Sequence, residues 1–436
     1  MTYFLTVWRK ELPWVKIRSD CGPFTHCGLC DYLKLLIGAS QDACRKHTLL
    51  MRLGEHYDFQ GAQRVYMNNV FAESVRNPDE LLAVSWDKMD QAKNIIPRVR
   101  ALSNTQFMKG GSRIVVSLIG VLIPAISQRP WFYTVFEDMV HGGDMIASLM
   151  IDVLLEAALS RGQLPRRFVI QADNTAKETK NTITLFAAAW LLAQLQHTRL
   201  QFIEFCYLIV GHTHDLIDAI FAWVGKAVHG YDVLSLPEFF SRLVSHMKNP
   251  PFWKHHRDVF AFQAHQPAYL TSRSLKGISV PHHVRLGWSA NGGLVVQTKR
   301  WLTSAIWSEP LQMCSPQQVA ELRALTFPIV QHAWREKGFE QSALLWLGKL
   351  RALLQQAGRS CNGLTHCEQV IRHELPALLP SGETLQEKIR RILSGTGKRG
   401  LQLSSHIEGL DEACAAAFPG TSKGLRPLLQ HACAKP

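Results

Sequence analysis

Residues 168–229 constrain the fold more than any other stretch. They open on an apolar run, Phe168-Val169-Ile170, that ends in Asp173-Asn174. A short apolar run bounded by an acid and turn formers reads as a buried strand whose C-terminal end presents the carboxylate. Residues 180–196 follow, with Leu185, Phe186, Trp190, Leu191 and Leu192, apolar around the whole helical circumference. Such a helix is expected to be buried on every side. A second apolar run, 202–210, ends at a Gly-His-Thr-His corner, and a helix over 214–228 begins with Asp215 and Asp218. Acids at a strand end and at a helix start, far apart in sequence, point to a metal site assembled from separate elements.

The residues upstream supply the rest of a layered fold. Leu81 to Trp86 is apolar and runs into Asp87, which reads as a central strand carrying an acid at its end. Residues 113–124 read as a second strand broken at Gly120, and 131–137 as a third. A helix is expected over 143–161 with Gly162 as its stop. The order is then three strands, helix, strand, helix, strand, helix, which argues for a mixed α/β layer fold. Beyond 235, residues 236–247 read as a helix. Residues 283–299 read as a β-hairpin with Asn291-Gly292 at its turn, and 316–358 as one or two amphipathic helices. The stretch Phe252-Trp-Lys-His-His-Arg257 is a candidate for contact with a phosphate backbone.

Composition narrows the partners. The formal charge is +13, which favours a polyanion, nucleic acid above all. No apolar run reaches the ~18–20 residues of a membrane span. The first 18 residues carry Arg9, Lys10, Glu11 and Pro13, unlike a secretory leader. A reducing, intracellular setting is therefore expected for the ten cysteines, as thiols or metal ligands. Cys27-Gly-Leu-Cys30 has a zinc-knuckle shape, since a turn of this length aims two thiolates at one ion. Cys21, His26, Cys44 and His47 are the candidate further ligands of this Zn²⁺. The pair Cys361 and Cys367 echoes the Cys21-to-Cys27 spacing, a likeness that chance explains.

Three motifs carry a resemblance. The chain reads Asp173-Asn174, then Glu178-Thr-Lys180-Asn181, and later Val210-Gly-His-Thr-His-Asp215-Leu-Ile-Asp218. It also has Met89-Asp90-Gln91-x-Lys93 and Pro97. Over about residues 3–235 it resembles an uncharacterised transposase-like group of algal and oomycete proteins with DNxxxENKN and VGHTHEDID motifs, departing from it at Thr179 and Leu216. More broadly it resembles DDE transposases and retroviral integrases. The resemblance implies a ribonuclease H-like core, a mixed five-stranded sheet flanked by helices. In that family one acid ends the first strand, another the fourth, and a third lies on the helix after the fifth. Asp87, Asp173 and Asp218 fall on those places, with Asp87 preferred to Asp90 because it follows the apolar run directly. The implied activity is cutting or joining of double-stranded DNA with two Mg²⁺ or Mn²⁺ ions, in the nucleus or elsewhere inside the cell, with a homo-oligomer as the candidate assembly.

The residue types suit that chemistry. Hard divalent ions prefer carboxylate oxygen, and a pair of them stabilises charge on the attacking and leaving oxygens of a phosphodiester. Lys93, Lys177 and Lys180 are placed in sequence to hold phosphates. Asn174, Asn181, His212, His214 and Asp215 are expected in supporting roles, the histidines orienting the acids. Three alternatives stand beside this reading. They are a decayed transposase that binds nucleic acid without cutting it, a ribonuclease-type nuclease, and a metallohydrolase built on His212, His214 and Asp218. The expected organisation is an N-terminal Cys-containing helical segment over 1–78, a catalytic core over 79–235, a C-terminal extension over 236–358 and a basic tail over 359–436.

Overall fold

The computed structural model describes residues 27–89, 95–103, 105–111, 113–136, 142–174, 179–209, 216–247, 249–256, 259–265, 277–329, 339–374 and 384–395. They form two compact units, divided between Gly61 and Ala62, with Ile209 belonging to the first. The first unit is helical: α1 spans Gly28–Ala39, and α2 begins at Ala43. The rest of α2, to Arg76, belongs to the second unit.

The second unit continues with β1 (Leu81–Lys88), β2 (Ile95–Ile96), a one-turn α3 (Gln106–Lys109), β3 (Ile114–Leu122) and β4 (Trp131–Phe136). Next come α4 (Gly143–Arg161), β5 (Arg167–Ala172), α5 (Thr182–Gln194), β6 (Phe202–Tyr207), α6 (Leu216–His229) and α7 (Leu236–His246). After these lie β7 (Phe252–His255), β8 (His283–Trp288), β9 (Leu294–Lys299) and β10 (Leu311–Cys314). The last described helices are α8 (Pro316–Ala324), α9 (Phe339–Gln356), α10 (Asn362–Gln369) and α11 (Leu385–Gly395).

The strands make one mixed sheet in the order β10-β9-β8-β6-β5-β1-β3-β4-β7, with β2 paired to β3. β1 runs antiparallel to β3, and β3 to β4. β1 is parallel to β5, and β5 to β6. These five are the strands expected from the sequence, but among the described residues the sheet has ten and not five. The reason is edge satisfaction: β4 and β6 would each leave a row of unpaired backbone groups. β7 covers β4, and the 283–299 hairpin docks antiparallel on β6. The hairpin closes at Asn291-Gly292, where Gly292 has φ +83°, a conformation that favours glycine. A second expectation also changes. Gly120 does not break β3; it pairs with Asp87 on one side and Phe132 on the other.

Alternation along the strands sets the two faces. Leu82, Val84 and Trp86 of β1 join Phe168, Ile170 and Ala172 of β5 in the core beneath α4 and α5. Leu81, Ala83 and Val169 point the other way, against Met67 and Val70 of α2. On that second face Val116, Leu118 and Leu122 of β3 meet Ile217, Phe221 and Val224 of α6, with α7 and α9 behind. α5 is buried all round from Thr184 to Ala193, as its apolar circumference requires.

α4 shows how the C-terminal region is tied down. Its buried polar residues, Asp144, Ser148 and Asp152, fall at i, i+4 and i+8, one stripe on an otherwise apolar helix. Asp144 accepts the Gln263 N–H at 2.9 Å, and Ser148 accepts that of Phe260 at 2.9 Å. Asp152 meets His256 Nδ1 at 2.8 Å and Lys388 of α11 at 2.6 Å. Burial alone would raise the Asp152 pKa, but Lys388 and then His256 outweigh it and hold the carboxyl well below the usual range. In the basic and aromatic stretch at 252–257, the side chains of Phe252, Trp253, Lys254 and His256 are engaged within the fold. Trp253 stacks on Phe240 and donates to Thr134 at 2.9 Å, Lys254 pairs with Glu156, and Phe252 lies under Arg129. Parallel pairing with β4 commits these side chains to the fold; Arg257 lies outside the described residues.

Candidate functional site

Asp87 and Asp173 lie at the C-terminal ends of two neighbouring central strands, β1 and β5. The parallel register of β1 and β5 includes Val84↔Ile170 and Ser85↔Gln171. Asp87 lies two residues beyond the last pair on β1, and Asp173 follows Ala172, the last residue of β5. By alternation Asp87 points away from the α4–α5 core, toward the face that carries α6. Each carboxylate folds back on its own strand end. Asp87 Oδ1 accepts the Lys88 N–H at 2.8 Å, and Asp173 Oδ1 accepts the Asn174 N–H at 2.6 Å.

Asp218 arrives on that face through α6. Ile217, Phe221, Val224 and Val228 form the buried stripe of this helix, while Leu216 and Trp223 are exposed. A Cβ built on Gly120 would stand 3.0 Å from the Phe221 ring and 3.1 Å from Ile217 Cγ2. Gly120 is the residue paired with Asp87. The first turn of α6 therefore lies directly over the strand beside Asp87, and Asp218 follows Ile217 in that turn. Replacing Gly120 by Leu is expected to force α6 off the sheet. The cost should be about 1–3 kcal/mol, the usual range for overpacking a filled core. Urea denaturation reads it; an unchanged midpoint would mean that α6 does not seat on β3.

The residues that flank 175–178 are tied to one another and to β6. The Thr179 hydroxyl donates to the Asp173 carbonyl, and Tyr207 OH donates to the Thr179 carbonyl at 3.2 Å. Lys180 is buried, donates from Nζ to Asn174 Oδ1 at 2.9 Å, and lies 5.0 Å over the Tyr207 ring. Burial pulls its pKa down to about 8. Asn174 is thus a partner of Lys180. Asn181 has a different job: its side chain accepts the Thr184 N–H at 2.9 Å and caps α5. Asp90, Lys93, Lys177, His212, His214 and Asp215 lie outside the described residues.

The cysteine knuckle lies in the first unit. Cys27 is the N-cap of α1 and Cys30 sits in its first turn, so the turn into the helix brings both thiols together. The third group is His56 on α2, whose Nε2 is 3.4 Å from Cys27 Sγ. The ligand atoms of Cys27, Cys30 and His56 all lie within 4.8 Å of one another, and both cysteines are buried. Tetrahedral ligands at ~2.0–2.3 Å from one ion stand ~3.3–3.8 Å apart, so this Cys2His group is of a size to hold a metal ion. Burial first, and then the neighbouring Cys27, push the Cys30 thiol up in the metal-free chain. Of the ligands considered from sequence, Cys21 and His26 lie outside the described residues. Cys44 and His47 are exposed on α2 and belong to no such cluster among the described residues. The sequence reading missed His56. It is 26 positions past Cys30, and only the antiparallel return of α2 marks it. Cys367 is a core residue, its thiol donating to the Leu234 carbonyl at 2.8 Å.

Among the described residues no helix is long and apolar enough to cross a membrane. The profile of a domain of unknown function, DUF7869, matches residues 107–304. That segment, less than half of the chain, contains Asp173, Lys180 and Asp218 and begins after Asp87. No curated protein and no solved structure matches the chain.

Proposed function

We propose that this protein carries a ribonuclease H-like core of the DDE transposase and integrase kind and cuts or joins DNA phosphodiesters with two divalent ions. One observation carries the reading. Asp87 lies on β1 beside Gly120, over which α6 seats Ile217 and Phe221 within one turn of Asp218, and Asp173 follows the end of the neighbouring parallel strand β5. Three carboxylates from the first, fourth and fifth structural steps of one mixed sheet are the donor set that Mg²⁺ or Mn²⁺ prefers. When bound, such a pair of ions stabilises the attacking and leaving oxygens of an in-line displacement.

The chain's own residues do the rest. Asp87 and Asp173 would hold the ions at the C-terminal ends of two central strands, each carboxylate oriented by the following backbone amide. Asp218 closes the site from a separate helix. Lys180, held by Asn174 and Tyr207, places a positive charge beside the Asp173 loop, where it offsets the negative charge of an incoming phosphodiester. The charge of +13 draws the chain to duplex DNA, in the nucleus. Zn²⁺ is the ion for Cys27, Cys30 and His56, where thiolate and imidazole ligands favour it and its role is to hold the first unit together.

The test is cleavage of a mixed-sequence duplex and of a DNA–RNA hybrid, in Mg²⁺ and in Mn²⁺. Metal-dependent cutting of the duplex supports the proposal. Cutting of the hybrid alone would make the chain a ribonuclease. Salt-sensitive binding without cutting would make it a decayed transposase.

A further inference from the structure

Tyr231 and Asp232, between α6 and α7, line a cavity of about 590 Å³ with three arginines: Arg100 after β2, Arg242 of α7 and Arg359 after α9. Three arginines line the pocket beside one carboxylate, which pairs with the guanidinium of Arg359 alone among them. Asp232 accepts the backbone N–H of Arg100 at 2.9 Å and pairs with the Arg359 guanidinium. Arg100 also donates from its side chain to the Gly230 carbonyl at 3.2 Å. Arg242 lies 4.3 Å over the Tyr231 ring, which fixes its plane. A guanidinium carries five N–H donors, so these acceptors engage only part of the set, and the cavity keeps an excess of positive charge. Arg100 and Arg359 are exposed and Arg242 is half-buried, so the pocket is open and an anion from solvent can reach their remaining donors. An oxyanion with several acceptor oxygens supplies what is missing, because guanidiniums bind it bidentately.

We propose that Arg100, Arg242 and Arg359 form a binding pocket for a phosphate group. Two sources share that chemistry, a free phosphate and the backbone of a nucleic acid. The pocket stands at the C-terminal end of α6, roughly 18 Å along the helix from Asp218 at a rise of 1.5 Å per residue. At ~3.4 Å per nucleotide a strand passing both places would have its anchored phosphate about five nucleotides from the acids. Only this backbone assignment rests on the nuclease reading; the phosphate pocket does not.

The experiment is calorimetric titration of the full chain in EDTA, first with inorganic phosphate and then with a mixed-sequence DNA duplex. The pocket variant Arg242→Gln/Arg359→Gln is compared with Arg323→Gln/Arg390→Gln, which removes the same charge from exposed arginines elsewhere. The pocket variant is expected to bind phosphate at least tenfold more weakly than the control variant. If the source is a backbone, its duplex affinity also falls and its salt slope drops by about 1–2. A phosphate defect with unaltered duplex binding assigns the pocket to free phosphate. Arg242→Lys keeps the charge and loses the fork, and is expected to share the phosphate defect even if the double variant does not fold. Equal phosphate and duplex binding by the pocket variant and the control variant would overturn the proposal and leave a structural ion-pair cluster. Cleavage is not measured in EDTA, so this outcome is separate from failure of the nuclease reading.

Discussion

Replacing Asp173 by Asn is expected to cut Mg²⁺-dependent DNA cleavage by orders of magnitude while leaving duplex binding intact. The substitution keeps the side chain's size and its carbonyl acceptor for the Asn174 N–H, so the strand end stays in place. It removes one negative charge from the proposed metal ligands. Metal stabilisation of the reacting oxygens is worth several kcal/mol, and each 1.36 kcal/mol is tenfold in rate. Binding is expected to survive because it comes from Lys and Arg contacts to phosphate, and it should weaken with salt in both proteins. A single-turnover assay beside a binding isotherm checks both halves. Equal cleavage by the wild type and the variant would place the activity elsewhere or in a contaminant.

The second large effect concerns the Cys2His group. Purified protein is expected to hold one equivalent of zinc, and the Cys27→Ser/Cys30→Ser double variant or His56→Ala none at that site. Apparent zinc-binding free energies in small zinc domains run to about 10–16 kcal/mol near pH 7, so the metal contributes much of the stability of a short helical unit. Loss of zinc, by mutation or chelation, is therefore expected to lower the helix signal through partial melting of residues 28–61. Elemental analysis with circular dichroism reads this. Unchanged zinc in the double variant would reject the site. The sign with pH follows from the thiols. Ligation requires thiolates, and the Cys30 thiol is raised by burial, so zinc is lost as pH falls.

Much of the second unit was legible because burial writes itself into composition. The runs at 81–86 and 167–172 are apolar since both faces of β1 and β5 are covered, and Gly162 with φ +76° ends α4 where its sequence stops. Asp87, Asp173 and Asp218 stand out in the sequence because each ends an apolar run or begins a helix. What escaped depends on pairing between distant segments. Nothing local in His283–Trp288 says that it joins β6, or in Phe252–His255 that it joins β4. Gly120 looked like a strand breaker because its function is long-range: it makes room for Ile217 and Phe221. His56 was hidden for the same reason, since a helix carries it back to Cys27 and sequence shows only a lone histidine. Arg100, Arg242 and Arg359 come from three loops and helices, and their convergence is a property of the fold.

The most direct measurement of the central claim is anomalous diffraction from crystals soaked in Mn²⁺. The account predicts two peaks ~3.5–4 Å apart, bounded by the carboxylates of Asp87, Asp173 and Asp218. Peaks elsewhere with none at these acids, or any one of the three carboxylates more than about 12 Å from the other two, would contradict it.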